Sequence, residues 1–255
     1  MHSLGVALVV FVCTFGGALL GMTLSPRLPP HHHSHDSKHT VQLGMGLLAT
    51  LTGLLLGLLV STSKSAFDST DTEVKEFSAK IVMLDHVLAR YGPETGPIRA
   101  QLRHFVARKI DQLWSHRGPP QQERTSGDEL EEALDRVNAL APASELQRAL
   151  KAGALALAAE LTQARWLFIE GNLGSRIPGP FLGIIIFWLT VLFTSFGVFA
   201  PRNVIVVAAL VVCALSVATA IFLVLELSQP FGGIIELSSA PARAALANMG
   251  SHDST

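Results

Sequence analysis

The stretch VQLGMGLLATLTGLLLGLLVST, Val41–Thr62, contains no Asp, Glu, Lys or Arg. A helix rises 1.5 Å per residue, so about 20 residues cross the roughly 30 Å of hydrocarbon in a bilayer. Three further runs share this character: Leu4–Met22, Pro178–Pro201 and Val204–Leu225 are equally free of charge. Four helices of this kind are more than a soluble domain of 255 residues can hide. The composition agrees, with 49% hydrophobic and only 15% charged residues against about 25% charged in ordinary soluble domains. The chain therefore reads as an all-α integral membrane protein with four transmembrane helices.

The first run is read as an uncleaved span. A signal peptide would carry a basic n-region, and Met1-His2-Ser3 has none; no small-x-small cleavage site precedes Thr23. Cys13 and Cys213 both fall inside apolar runs, where small packing residues are expected and a disulfide is not. The net charge of -1 offers no electrostatic basis for binding nucleic acid.

In sequence the spans form two pairs, with a helical bundle inserted between spans two and three. Residues 1–62 hold the first pair and its His-rich loop, 23–40. Residues 63–177 form the extramembrane helical region, and 178–227 the second pair. Residues 228–255 make a C-terminal turn, a short amphipathic tract and a tail. The insert carries 15 Lys+Arg and 16 Asp+Glu. Its apolar residues recur at helical spacing. Phe67, Val74, Phe77, Ile81, Leu84, Leu88 and Tyr91 lie on one stripe with no breaker between Ser63 and Tyr91. One helix is thus expected to run from the second span into the insert.

Gly92-Pro93 and Gly96-Pro97 impose a turn, followed by a second stripe, Ile98, Leu102, Phe105, Ile110 and Leu113. Ser126 with Glu129 predicts a capping box for a third helix through Leu130, Leu134, Val137 and Leu140. Ser144 with Gln147 predicts another, opening a fourth helix through Leu146, Leu150, Leu157, Leu161, Ala164 and Phe168. Asp85 and Glu170 are expected to form salt bridges in this bundle.

Positive charge in short loops sets orientation. Arg27 and Lys38 against Asp36 in loop 23–40, and Arg202 in loop 201–203, place both short loops in the cytoplasm of a cell whose inner membrane holds the chain. The insert then faces outward.

Candidate functional residues are few. His31, His32, His33, His35 and His39 crowd beside Asp36, and imidazole is the commonest metal-ligand side chain. A designed metal site needs ligands held by neighbouring groups, and a proline-flanked His run is read as a solvated loop. Near the midplane of the spans the polar side chains are hydroxyls: Thr14, Thr50, Thr52, Thr190, Thr194, Ser195, Ser216 and Thr219. Ion-coupled transporters place ionisable groups there, so a pump is not expected. A passive pore remains open, through hydroxyls or a hydrophobic constriction. Small-xxx-small pairs, Gly17 with Gly21, Gly53 with Gly57 and Gly179 with Gly183, let helix backbones approach closely. No phosphate loop, nucleophile elbow, HExxH or CxxC is present, so no enzyme activity and no cofactor are expected.

After the last span comes LELSQPFGGIIELSS, Leu225–Ser239. Pro230, Phe231 and Gly232 stop the helix, with Glu226 before the stop and Glu236 after it. Glu226 is expected at headgroup level, within reach of water.

Four stretches together resemble the bacterial bestrophin-like membrane family, whose function is largely unassigned. They are SKHTVQLGMGLLATLTGLLLGLLVSTSKSAFD, IVMLDHVLARYGPE, IPGPFLGIIIFWLTVLFTSFGVFAPRN and LELSQPFGGIIELSSAPARAAL. The resemblance extends from about Leu43 to Leu246. It implies, more distantly, likeness to bestrophins: pentameric calcium-gated anion channels with a cytosolic helical region. Pro230-Phe231-Gly232 is similar to the element that leads to their calcium-binding acids. Here only Glu236 follows within twenty residues, whereas calcium takes six to eight oxygen ligands, so no calcium clasp is expected. The cytosolic helical region implied by the resemblance conflicts with the charge count.

The expected function is an oligomeric channel in the lipid bilayer that passes a small anion. Its neck would be formed by Phe187, Phe193 and Phe196 or by apolar residues of span two. The alternative is a non-conducting scaffold or sensor that uses the helical region as a docking surface.

Overall fold

The computed structural model describes residues 2–25, 35–114, 123–174 and 179–249, with side chains described except at 2, 35–41, 123–129 and 165–174. Among these residues the regular structure is helical throughout, and no strand occurs. Eight α-helices follow in order: α1 (His2–Leu24), α2 (His35–Tyr91), α3 (Gly96–Trp114), α4 (Glu123–Asn138), α5 (Glu145–Gly174), α6 (Gly179–Phe199), α7 (Val204–Leu227) and α8 (Ala240–Asn248). Four are long and apolar enough to cross a membrane: α1, the first part of α2, α6 and α7. The chain divides into two compact units. One comprises residues 1–67, 176–229 and 233–235, the other 68–175, 230–232 and 236–255.

In the first unit α1 packs along both α6 and α7. The sequence pairs are therefore neighbours in the chain, but the close contacts of the first span are to the second pair. Ala18, Met22, Phe193, Leu210 and Ala214 form one buried cluster, and Val10, Ala218 and Ile221 form another. The short loop after α6 is fastened at both ends. Asn203 caps α7 by accepting a hydrogen bond from the Ile205 N–H (3.2 Å). Arg202 donates to the Met22 carbonyl (2.9 Å), placing a cation at the C-terminal end of α1 where the helix dipole favours one.

The second unit is a bundle. Ile81, Leu84 and Leu88 of α2, Ile98, Leu102 and Phe105 of α3, Leu130 and Val137 of α4, and Leu161 of α5 share one core. Periodicity identified these positions. The α5 face differs from expectation: Leu146 is exposed, while Ala154 is in the core and Ala158 is buried, so small side chains carry that contact. As expected from the unbroken stripe, α2 is one 57-residue helix.

It begins at His35, so residues 35–40 of the expected loop are helical. It ends at Tyr91, where Gly92 takes φ +148°, a region that a side chain disfavours. Thr95 locks the turn from inside, its hydroxyl donating to the carbonyls of Leu88 (2.6 Å) and Gly92 (2.8 Å).

The Ser144 box forms. Ser144 Oγ accepts from the Gln147 N–H at 3.1 Å, and Gln147 Oε1 accepts from Ala143 N–H, one residue before the cap. At the other predicted box α4 is already helical at Glu123, so Ser126 lies within the helix and not at its start, and its side chain is outside the described residues. Glu123 and Arg124 extend the helix beyond the apolar stripe from which its start was read.

Candidate functional site

The membrane-spanning part of α2 presents an uncovered apolar face. Leu43, Leu47, Leu51, Leu54 and Leu58 step by four, four, three and four, and all are at least half exposed. At 100° per residue they form one stripe. Met45, which is buried, and Leu56, which packs on the Val10 cluster, face the chain itself.

The glycines divide into two kinds. A Cβ on Gly21 would strike the Thr194 carbonyl oxygen, one on Gly197 the Ala18 carbonyl oxygen, and one on Gly17 would come 2.8 Å from Thr194 Oγ1. Gly17 and Gly21 thus bring α1 against α6. The sequence did not single out Gly197, which has no glycine four residues away to mark it. Around Gly53, Gly57, Gly179 and Gly183 no atom lies within 4 Å of such a Cβ. Packing within the chain does not explain those four.

Of the aromatic neck residues, Phe193 is only 4% exposed and lies in the Ala18–Leu210 cluster, with Phe196 packed against it. Their rings meet edge to face at 6.3 Å. Both pack within the α1–α6–α7 contacts, Phe193 buried and Phe196 partly so. Phe187 does point outward, at 63% exposure.

All eight span hydroxyls make the same bond. Thr14, Thr50, Thr52, Thr190, Thr194, Ser195, Ser216 and Thr219 each donate to the carbonyl four residues earlier, at 2.7–3.0 Å. A hydroxyl has one proton. With that proton given to the helix backbone, these hydroxyls are left with acceptor lone pairs only, which do not suit an anion.

The turn after α7 carries two sets of contacts. Glu226 is 2% exposed, not in reach of water as expected at headgroup level. Its Oε2 accepts from the N–H groups of Ile234 (2.5 Å) and Ile235 (3.4 Å), and the Ser3 side chain hydrogen-bonds the same carboxylate. These donors matter because a carboxylate at a helix C-terminus otherwise faces the negative end of the dipole. Gly233 is required for this approach, since a Cβ there would meet Glu226 Oε2.

In the helical-region unit, Pro230 is buried and its carbonyl accepts from the Leu237 N–H (2.9 Å). Trp114 Nε1 donates to the Leu237 carbonyl (2.7 Å), and its ring meets Phe231 edge to face at 5.4 Å. Trp114 was not anticipated; its one signal is an amphipathic ring directly after the apolar stripe of α3. Gly232 has no close neighbour and no positive φ, and Glu236 is exposed.

Asp85 pairs with Arg99, through Nε at 2.8 Å and Nη2 at 3.2 Å. The side chain of Glu170 and those of His35 and His39 lie outside the described residues, as do His31, His32 and His33 entirely. Among the described residues no group of three or more His, Cys, Asp or Glu is placed to hold a metal ion.

A profile of the bestrophin-like domain matches residues 12–242. A bacterial bestrophin homolog from Klebsiella pneumoniae, solved in a point-mutated form, superposes with a TM-score of 0.64 at 14% identity, covering 98% of this chain and 99% of that one. A second point-mutated structure, described as a membrane protein, gives 0.61 at 16% identity over 98% and 99%. At such identities the structures speak for the fold. No curated protein matches the chain. With the profile spanning nearly its whole length, the chain is a membrane protein that belongs to the bestrophin-like family.

Proposed function

We propose that the chain is one subunit of an oligomeric channel that passes a small anion and lacks a calcium clasp. The observation that carries this reading is the α2 face: a stripe of five leucines and the Gly53–Gly57 row, none of them covered by the chain's own helices. Glycines spaced in this way suit close contact with a second copy. Copies arranged around the leucine stripe would enclose a pathway that a single subunit has no room for. With these eight hydroxyls bonded to their own backbone, the walls of such a pathway hold no fixed ion site built from them, and an apolar constriction gates by wetting and dewetting. Membership of the bestrophin-like family supports the same reading. So does the place of Pro230-Phe231-Gly232 after the last span.

The turn is structural in this reading. Glu226 is consumed by Ile234, Ile235 and Ser3, and Glu236 alone does not make a calcium site. The short loops 23–40 and 201–203 face the cytoplasm of an inner membrane, as their charges indicate.

Purified protein in liposomes should pass chloride above the leak of empty vesicles, with Leu54→Ala raising the flux and Phe187→Ala leaving it unchanged. Flux equal to empty vesicles across chloride, nitrate and bicarbonate would overturn the channel. Labelling of a cysteine placed at Ser34 from the outer side of intact cells would reverse the orientation.

A further inference from the structure

Between α3 and α8 lies a cleft of about 400 Å³, lined by Gly96, Arg99, Ala100, Arg103, His104 and Ala107 of α3 with Leu246 and Met249 of α8. All of these belong to the bundle unit. That volume lies within the range of small-molecule sites, which combine apolar walls with a few polar groups that fix orientation. The lining has this division. Ala100, Ala107, Leu246 and Met249 are its apolar lining, and the exposed Arg103 and His104 flank the two alanines on the same face of α3.

The charge balance of the cleft is unlike that of the bundle. The insert as a whole is nearly neutral, yet among the described residues no acidic side chain lines this cleft. Across α3 the basic residues Arg99, Arg103, Arg108 and Lys109 face a single acid, Asp111. Arg99 is matched by Asp85, which holds its guanidinium side-on and fixes that wall. Arg103 has no such match: it makes no hydrogen bond or ion pair among the described residues, and neither does His104. An arginine fork without a carboxylate is suited to bidentate capture of a carboxylate or phosphate. The adjacent imidazole supplies a further donor, and Gly96 opens α3 at the cleft's edge, where the helix dipole favours negative charge.

We propose that this cleft is a binding site for a small organic anion, a carboxylate or phosphate ester with a compact apolar body. Arg103 and His104 hold the charged group, and Leu246 and Met249 cover the body. The site is separate from the α2 face and does not depend on conduction.

Calorimetric titration of the full-length protein in detergent, with benzoate, phenyl phosphate and uncharged benzyl alcohol as probes, tests this. At least one anionic probe should bind saturably and more tightly than benzyl alcohol. Arg103→Glu should weaken it by at least about tenfold, the scale of one lost charge-assisted bond. His104→Ala should weaken it by a smaller factor, and Ala100→Phe should abolish it by filling the cleft. Arg148→Glu on α5 should leave binding intact. Thermal unfolding of each variant at the parent's temperature establishes that the fold is kept, which the exposure of Arg103 and Ala100 favours. Absence of heat at millimolar concentration for both anions, benzyl alcohol binding as tightly as they do, or unchanged affinity in Arg103→Glu would each overturn the proposal.

Discussion

Where α1 meets α6, the closest contacts are made by residues with little or no side chain, Gly17, Gly21, Ala18 and Gly197 against backbone carbonyls. In the bundle the same task falls to Ile81, Leu84, Leu102, Phe105 and Leu130. Among the described residues each region also buries one carboxylate, and again the means differ. Asp85 is held by the Arg99 guanidinium, Glu226 by backbone N–H groups and Ser3. The contrast follows from the surroundings for which each region is built. Lipid tails are as apolar as leucine, so large side chains gain little by leaving them, and helices associate by close backbone approach. In water the gain scales with apolar area buried, and large side chains dominate.

Helix α2 contains both cases. Leu43, Leu47, Leu51, Leu54 and Leu58 stay exposed, while Ile81, Leu84 and Leu88 are almost wholly buried.

This comparison can be broken at several points. The largest effect is expected for Gly197→Leu, whose side chain has only the Ala18 backbone to move against. The cost should be about 5 kcal/mol or more, beyond usual overpacking, and thermal unfolding in detergent should show no native transition. A normal transition would mean that α1 and α6 do not meet as described. Next comes Asp85→Ala, which strands the Arg99 guanidinium at about 3–5 kcal/mol; here Asp85→Ala with Arg99→Met should recover much of the loss in denaturant titrations.

Glu226→Ala leaves two amide donors unmatched, at about 1–3 kcal/mol. A lowered unfolding midpoint is expected, together with faster proteolysis at residues 233–235. The smallest effect belongs to Gly53→Ala. In an isolated subunit it should stabilise α2 by about 1 kcal/mol or less, because alanine is the better helix former and nothing lies in its way. Destabilisation of the native assembly by the same change, read by sedimentation, would sharpen the comparison by showing a second copy at that face.

Much of this fold was legible in the residues. Freedom from charge over about twenty positions implies a span because the hydrocarbon thickness and the helix rise are both constants. The stripes of α2 and α3 were legible for a similar reason, since apolar residues at helical spacing in a charged segment have only a core to enter. Ser144 was legible as a cap because its partner lies three residues away. Ser126 misled because the same local pattern is compatible with a helix that has already begun.

The candidate site was far less legible. Phe193 and Phe187 are the same residue type on one helix, six positions apart, and one packs inward while the other is exposed. Gly21 and Gly53 sit in identical motifs, yet only Gly21 touches a neighbour.

The sequence by itself determined that the chain is helical, that four of its segments are long and apolar enough to cross a membrane, and that a charged segment with helical apolar stripes lies between the second and third of them. Its quoted stretches also pointed to the family. Those properties depend on local composition and period, which each segment carries whatever its neighbours are. Only the tertiary structure decided which glycines are contacts, which aromatics are core, and that Glu226 is enclosed by Ile234 and Ser3 and not solvated. It alone set Trp114 on Leu237 and brought Arg103 beside Met249. Most of these relations join residues more than a hundred positions apart, and in an all-apolar span no periodicity marks the face that will be covered.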